Sequence, residues 1–195
     1  MMNLNALKVD PEFQGKIPPL TFEELNQLEA NILRDGRIIN PIIVWQGLIV
    51  DGHNRYTIAK KHPEIPFTVH EKEFASRYEA IIWICKNQLG RRNLTPEQKR
   101  YLLGKQYESE KKAEKIFHGN QYTLAKKSGG SHDDTHHSGK KTCDRIAEEN
   151  GVSRASVLRA RHYTKGVDIA DTDIPSPRKT AILFNWMTSS SENTL

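Results

Sequence analysis

The residues Asp51-Gly-His-Asn-Arg55 stand between an apolar run and a helical stretch, and their types are those that bind an anion. A glycine at a strand-to-helix turn lets backbone amides approach a phosphate, and the N-terminus of the following helix adds partial positive charge. The arginine can donate two parallel hydrogen bonds to a phosphate, and the histidine and asparagine add side-chain donors. We therefore predict an anion site at this turn, with a purely structural turn as the alternative.

A second pattern, from Cys143 to Arg161, is typical of a helix-turn-helix. Ala147 is small where two helices would touch, Gly151 stands in the turn, and Val157 packs the second helix back onto the first. The other apolar residues of this predicted core are Ile146, Val152 and Leu158. Ser153 would cap the second helix, and the residues predicted to bind DNA are Ser153, Arg154, Ser156, Arg159, Arg161 and Lys165. An ordinary helical hairpin is the alternative.

The positive charge of the chain is concentrated in its middle third. The formal net charge is +5, and residues 91–127 contain 10 basic and 4 acidic residues. Clustered basic charge is expected of a protein that binds the backbone of a nucleic acid, because each neutralised phosphate releases counterions. A solvated helix face is the alternative explanation of the same charge.

Short strands and helices of the first half must position the predicted anion turn. Thr21 and Glu24 fit a capping box at the start of a helix, and Gly36 fits its end. Two apolar runs, 41–45 and 48–50, predict a hairpin with a tight turn between them. The further elements predicted here are a helical stretch over 57–62 and a short strand over 66–69.

The second half of the chain has the pattern of helices, and these cover residues 73–89, 95–117 and 142–165. Residues 118–141 are rich in Gly, Ser, Asn, Lys and His, so we predict a flexible linker there. The chain after Asp168 is predicted to be a loosely structured tail.

The composition excludes several classes of protein. Two cysteines, Cys85 and Cys143, are too few for a disulfide framework or a four-ligand metal site. No window approaches the roughly 18 consecutive apolar residues of a membrane span. The first residues lack the basic-then-apolar layout of a signal peptide. We therefore expect a cytoplasmic protein.

Several of these segments, in this order, resemble the ParB-like partition proteins. Gly36-x-Ile-x-Asn-Pro-Ile-Ile-Val44 and Ile49-Val-Asp-Gly-His-Asn-Arg-Tyr56 are similar to the ParB N-terminal domain, which shares its fold with sulfiredoxin. Lys86-Asn-Gln-Leu-Gly-Arg-Arg-Asn-Leu-Thr-Pro-Glu97 resembles the Glu-Asn-x-x-Arg segment that leads into Leu-Asn-Pro-x-Glu, and the helix-turn-helix pattern follows. The resemblance covers residues 15–168. It implies an α+β fold, in which a small ParB/sulfiredoxin-like mixed α/β domain precedes a mainly helical region with a helix-turn-helix.

The resemblance also implies a division of the chain. The expected parts are the α/β domain over 1–72, a helical extension over 73–117 that completes a nucleotide site, the linker over 118–141, the helix-turn-helix over 142–168 and the tail over 169–195.

The function implied by the resemblance is DNA binding in plasmid or chromosome partition, or in maintenance of a mobile element, at the bacterial nucleoid or a plasmid. In well-studied ParB proteins CTP, with Mg²⁺, closes a dimeric clamp on DNA. The residues that would hold the nucleotide here are Gly52, His53, Asn54, Arg55, Asn87, Arg91 and Arg92. The implied partners are double-stranded DNA, a second copy of the chain and a partition ATPase.

This sequence departs from the ParB pattern at three places, one of which is the spacing from Asn87 to Leu94, which is one residue longer than in ParB and leaves open whether Arg91 or Arg92 matches its arginine. His53-Asn54 replaces Glu-Arg in the turn, and Lys86 stands where ParB has the acidic residue that assists the metal. We therefore do not expect magnesium-dependent hydrolysis of the nucleotide. Sulfiredoxin activity is excluded because His53 stands where that family has its reactive cysteine.

Two alternative functions remain open at the level of the sequence. A ParB-like nuclease would need metal-holding carboxylates or a general base, and Asp51 and His53 are the clustered candidates at the turn. A transcriptional regulator would use the same helix-turn-helix, with an N-terminal domain that senses a small anion. A palindromic operator at its own promoter would favour the regulator.

Overall fold

The computed structural model describes residues 4–91, 93–125 and 141–169, with the backbone alone at residue 5 and over 117–125. The chain divides into two compact units. Among the described residues, the N-terminal unit ends at Phe74 and the helical unit begins at Ala75. The predicted tail from residue 170 onward, and the part of the predicted linker over 126–140, lie outside the described residues.

The N-terminal unit contains a mixed sheet of four strands in the order β1-β3-β2-β4. Its elements are a 3₁₀ turn (Leu4–Ala6), β1 (Lys8–Val9), α1 (Pro11–Gln14), α2 (Phe22–Asp35), β2 (Ile42–Trp45), β3 (Leu48–Asp51), α3 (His53–Lys61) and β4 (Val69–Glu71). β2 and β3 form the predicted antiparallel hairpin, while β1 pairs parallel with β3 and β4 pairs parallel with β2. The strand predicted over 66–69 begins only at Val69, because Pro66 has no N–H to donate to a neighbouring strand.

Helix α2 has the ends that the sequence predicts. Thr21 Oγ1 accepts a hydrogen bond from the Glu24 amide at 3.1 Å, and the Glu24 carboxylate accepts one from the Thr21 amide at 2.8 Å. Gly36 ends the helix with a φ of 64°, in the left-handed region where glycine is favoured. The predicted capping box is therefore confirmed.

Helix α3 is fixed by two hydrophobic clusters. Tyr56 packs in a cluster built on the sheet, whose other buried members are Leu7, Ile42, Val44 and Ile49. Ile58 and Ala59 pack in a second cluster with Ile32, Ile38 and Ile65. Because α3 contributes to both clusters, the start of this helix is held in a defined place.

The helical unit consists of α4 (Arg77–Leu89), α5 (Pro96–Ala125), α6 (Thr142–Glu149) and α7 (Arg154–Ile169) among the residues the structure describes. α4 begins at Arg77 and not at the predicted residue 73, because the Ser76 hydroxyl accepts a hydrogen bond from the Glu79 amide and caps the helix there. At the start of α5, Thr95 and Gln98 exchange side-chain-to-amide hydrogen bonds of 3.2 and 2.9 Å.

Helix α5 extends beyond the predicted end at Phe117 to Ala125, into the segment predicted to be a linker. The sequence there is polar, but extending an existing helix adds one hydrogen bond per residue and avoids the cost of nucleation. Polar composition alone therefore did not mark the end of this helix.

Helices α5 and α7 approach each other closely at Gly104. A Cβ built on Gly104 would lie 2.7 Å from the carbonyl carbon of Ala160, and nearer still to the Ala160 oxygen and Thr164 Oγ1. Thr164 is fully buried and donates a hydrogen bond of 3.0 Å to the Tyr101 carbonyl. Only glycine fits at position 104, and this contact sets the position of α7 on α5.

Candidate functional site

The predicted anion turn is a direct passage from strand β3 into helix α3. β3 ends at Asp51 and α3 begins at His53, four residues before the predicted start at Thr57. Gly52 makes this passage with φ 96° and ψ 22°, a conformation that L-residues with a side chain rarely adopt. The start of the helix predicted from the sequence was wrong because a glycine in the left-handed conformation lets α3 begin directly after β3, without a loop.

The N-terminus of α3 has the features of an anion site. The first amides of a helix have no acceptor within the helix, and they lie at the positive end of its dipole. Gly52 has no side chain to accept from them, and no side-chain cap is formed within the described part of the chain. The amides at the start of α3 can therefore donate to a bound anion.

Arg55 folds back over this turn. Its Nη2 donates to Asp51 Oδ2 at 3.0 Å and to the Pro41 carbonyl at 3.1 Å. A Cβ on Gly52 would lie 2.9 Å from the same nitrogen, so glycine is also required for this arrangement. Arg55 thus joins the beginning of β2 to the end of β3, and its predicted contact with a phosphate stays a prediction.

His53 is buried, with 5% of its surface exposed. Neither ring nitrogen has a hydrogen-bond partner among the described residues. Burial lowers the pKa of His53 below its ordinary value of 6.5; the carboxylates of Asp51 and Asp10 oppose this shift and Arg55 adds to it. A neutral imidazole has one N–H donor and one acceptor, and buried polar groups normally have partners. The half-buried Asn54 follows at the next position of α3.

The other predicted nucleotide ligands belong to the helical unit. Asn87 is exposed in the last turn of α4, and Arg91 is exposed just after Gly90 ends that helix. Arg92 lies outside the described residues. The predicted set is therefore divided between the two compact units, with Gly52 to Arg55 in one and Asn87 and Arg91 in the other.

Helices α6 and α7 pack as the sequence pattern predicts. Gly151 stands in the turn with φ 62°, and the Val152 amide donates to the Ala147 carbonyl at 2.9 Å. Ser153 Oγ accepts from the Ser156 amide at 3.1 Å and caps α7. The buried members of this core are Leu103, Cys143, Ile146, Ala147, Val157 and Ala160, with Val152 and Leu158 packed against them.

The side chains predicted to bind DNA differ in their exposure and in their contacts within the protein. Arg154 Nε lies 3.6 Å from Asp144 Oδ1, and Arg159 donates to the Ser156 hydroxyl at 3.2 Å. The guanidinium of Arg161 lies 5.7 Å from the centre of the Tyr107 ring, against α5. Arg159 and Lys165 are exposed, whereas Arg161 is partly covered. Arg161 therefore stabilises the packing of α7 on α5, and it is less accessible to a DNA partner than Arg159 and Lys165 are.

Sequence reasoning missed His162, which is exposed on α7 one turn from Arg159. The buried residues of α7 are Val157, Ala160, Thr164 and Val167. With 100° per residue, the side opposite this buried stripe carries positions 155, 159, 162 and 166. Projecting the helix about its apolar stripe would have found His162 from the sequence alone.

Residues 4–91, 93–125 and 141–169 contain neither a cluster of metal ligands nor a membrane-spanning helix. No group of three or more His, Cys, Asp and Glu side chains there is placed to hold a metal ion. Asp51 and His53, the candidates for a nuclease, are respectively paired with Arg55 and buried. In the same residues, no helix combines the length and apolar character needed to cross a bilayer.

The two units in sequence, a small mixed α/β unit and then a bundle of helices, define a fold with known counterparts. No protein-family model and no curated protein sequence matches the chain. Two solved structures of pNOB8-like ParB N-domains match the fold of this chain, each over 82% of its length. One is 21% identical with a TM-score of 0.59, and the other is 22% identical with a TM-score of 0.55.

The chain therefore has the ParB N-domain fold, and the fold class predicted from the resemblance is confirmed. The match spans 66% and 62% of the lengths of the two solved chains.

Proposed function

We propose that this chain is a DNA-binding protein of the ParB-like partition or mobile-element maintenance type, and that α7 is its recognition helix. The observation that carries the proposal is the outer side of α7. Arg159, His162 and Lys165 are exposed there, and no acidic residue occurs between Ser153 and Val167. A helix of this kind, held on a second helix by a tight turn, is the arrangement that enters the major groove of DNA.

The N-terminal end of α7 adds a second kind of contact. Ser153 and Arg154 are exposed at this end, where the helix dipole favours a phosphate. Arg154 is weakly held by Asp144 at 3.6 Å and is about half exposed, so exchanging this partner for a DNA phosphate costs little. Ser153 and Arg154 would then position α7, while Arg159 and Lys165 would contact phosphates and His162 would face the bases.

The test compares two variants that remove the same charge from different helices. We expect Arg159→Ala with Lys165→Ala to weaken binding to a random-sequence duplex by tenfold or more, and to lower the slope of log K against log salt by about 2, since each phosphate contact contributes about 0.9. Lys112→Ala with Lys115→Ala removes two exposed charges from α5 and should have a much smaller effect. Equal effects of the two pairs would show that general charge, and not α7, binds the DNA.

We further propose that a nucleotide, CTP by resemblance, binds with its phosphates at the N-terminus of α3. Three observations support this proposal. The first amides of α3 have no side-chain cap, and Gly52 has no side chain that would keep a phosphate away from them. The ring nitrogens of His53 have no hydrogen-bond partner among the described residues. Asn54 and Arg55, together with Asn87, Arg91 and Arg92 of the helical unit, are the remaining ligands carried over from ParB. A homodimer and a partition ATPase remain predictions.

Calorimetric titration with CTP, ATP and GTP, with and without Mg²⁺, tests the nucleotide site. We expect selective binding of one nucleotide, and loss of that binding in Arg55→Ala with the circular dichroism spectrum unchanged. No binding of any nucleotide would refute the site and leave DNA binding as the function. In that case, selection of a palindromic operator from a random DNA library would favour a transcriptional regulator.

A further inference from the structure

Helix α2 of the N-terminal unit exposes large apolar side chains. Phe22, at its start, is 73% exposed, and Leu33, in its last turn, is 44% exposed. They are separated by three turns to within about 20°, so they lie on the same side of the helix. Ile39 is 62% exposed next to Ile38, which packs in the core with Ile32 of α2. Phe22, Leu33 and Ile39 form what we call the α2 surface, and exposed apolar groups placed in this way are typical of a docking surface.

The sequence beyond α7 contains an apolar run. Residues 181–187 are Ala-Ile-Leu-Phe-Asn-Trp-Met, so all but one are apolar and none is charged. Removing such side chains from water is favourable. Residues 170–180 separate this run from the end of α7, and a chain of that length extends to about 36–40 Å, more than the diameter of a small domain. A segment tethered in this way has an effective concentration in the millimolar range, so even weak docking is populated.

The charges that flank the two apolar segments are opposite in sign and follow in the same order. Glu23 is exposed in the first turn of α2, and Arg34 is exposed in its last turn. The run over 181–187 is preceded by Arg178-Lys179 and followed by Glu192. A segment that lies parallel to α2 therefore brings unlike charges together at both ends. Exposed ion pairs of this kind add little affinity, but they favour one orientation over the other.

We propose that residues 181–187 dock on the α2 surface of the same chain, parallel to α2, and cover its apolar side chains. The segment and any other molecule that binds the α2 surface, including a second copy of the chain, then exclude each other. A partner of this surface must displace the segment, and its apparent affinity is reduced in proportion to the fraction of chains in which the surface is free. The proposal requires neither DNA nor a nucleotide.

The test is photo-cross-linking of the full chain with a benzophenone side chain in place of Phe22. Because Phe22 is an exposed aromatic residue, a larger aromatic group there should leave α2 folded. After illumination, trypsin releases the segment as the single peptide 180–195, since no lysine or arginine follows Lys179. We expect mass spectrometry to find the cross-link between position 22 and this peptide, in material that has the mass of one chain.

Two matched pairs of substitutions identify the residues that dock. Leu183→Ser with Trp186→Ser removes two large apolar side chains from the run, and we expect it to lower the ratio of docked to free segment by tenfold or more. The cross-link from position 22 should then be largely lost. Ser190→Ala with Ser191→Ala changes the same peptide outside the apolar run, and we expect it to retain the cross-link.

A benzophenone at Gln27 controls for the position on α2. Gln27 is exposed, but it lies about 140° around the helix from Phe22, so we expect far less cross-link to the peptide 180–195. The proposal is overturned if position 22 gives no cross-link to this peptide, if the paired serine variant retains it, or if position 27 gives as much. A cross-linked product with the mass of two chains would also overturn it, because a second copy would then be the molecule that covers the α2 surface.

Discussion

Replacing Gly104 by alanine should separate α5 from α7. The new Cβ would lie 2.7 Å from the carbonyl carbon of Ala160, with the Ala160 oxygen and Thr164 Oγ1 nearer still. Carbon atoms in contact are ordinarily about 3.5–4 Å apart, so the helices must move apart by about 1 Å. Rotation of Thr164 relieves only one of these contacts, because the other two are with the backbone of α7.

The net cost follows from three terms. Forcing an extra methyl group into a packed interior costs about 1–3 kcal/mol, and this site lies at the upper end because the clash is with backbone. Loss of the buried hydrogen bond from Thr164 to Tyr101 adds about 1 kcal/mol. Alanine recovers about 1 kcal/mol through its higher helix propensity. We therefore expect Gly104→Ala to lower the free energy of unfolding by about 3 kcal/mol.

The assay is urea unfolding followed by circular dichroism at the helix band, with Gly166→Ala as control. Gly166 is an exposed glycine of α7, and a Cβ there would meet nothing within 4 Å. We expect this control to raise stability by up to about 1 kcal/mol through helix propensity alone. Equal stability changes in the two variants would refute the close approach of the helices. The double variant Gly104→Ala with Thr164→Ala should remain destabilised, since the contact with Ala160 persists.

Two other predictions concern side chains whose roles the structure reassigns. The lowered pKa of His53 means that the stability contributed by its neutral ring is fully present above about pH 6.5, and is lost as the pH falls below that value by up to about 1.4 kcal/mol per pH unit. Between pH 7.5 and 5, the urea midpoint should therefore fall less in His53→Gln than in the wild type. Equal falls would contradict a buried neutral ring. Arg161→Ala should cost about 0.5–1 kcal/mol of stability through loss of the contact with the Tyr107 ring. It should lower the affinity for a DNA duplex much less than Arg159→Ala does. An equally large loss of affinity would show that Arg161 contacts the DNA.

Local signals in the sequence predicted those elements whose ends are set by neighbouring residues. The capping box of Thr21 and Glu24 formed because its two partners lie within one turn, and Ser153 caps α7 for the same reason. The hairpin of β2 and β3 needs only a tight turn between two apolar runs. The pattern of Ala147 and Val157 likewise encodes a contact between helices that are adjacent in the chain.

Contacts between distant segments had no such signal. Arg55 is a good phosphate ligand by type, but its acceptor at Pro41 lies in another strand and could not be read from the turn. Arg161 has the spacing of a surface cation on a recognition helix, yet Tyr107 of α5 covers it. The partner of Lys86, Glu149, lies far away in the sequence. In each case the side chain's type was evident and its partner depended on the tertiary structure.

The ion pair of Arg55 and Asp51 decides how Arg55 contributes to the proposed nucleotide site. Asp51 immediately precedes Gly52, so its carboxylate would repel a phosphate at the start of α3 if the charge of Arg55 did not offset it. Like unit charges about 5 Å apart repel by about 3 kcal/mol at an effective dielectric constant of 20, which is about a hundredfold in affinity. Arg55 therefore supports the anion site by neutralising Asp51, even while its guanidinium is held within the protein.

This reasoning distinguishes two variants that both lack Arg55. Arg55→Ala removes the guanidinium charge that offsets Asp51, and we expect it to lose nucleotide binding by about a hundredfold. Arg55→Ala with Asp51→Asn removes both charges, so calorimetry should show recovery of tenfold or more, while Asp51→Asn alone leaves the Arg55 charge uncompensated and should bind more tightly than the wild type. If the double variant binds no better than Arg55→Ala, with both proteins folded, Arg55 acts by contacting the phosphate itself and must leave Asp51 to do so.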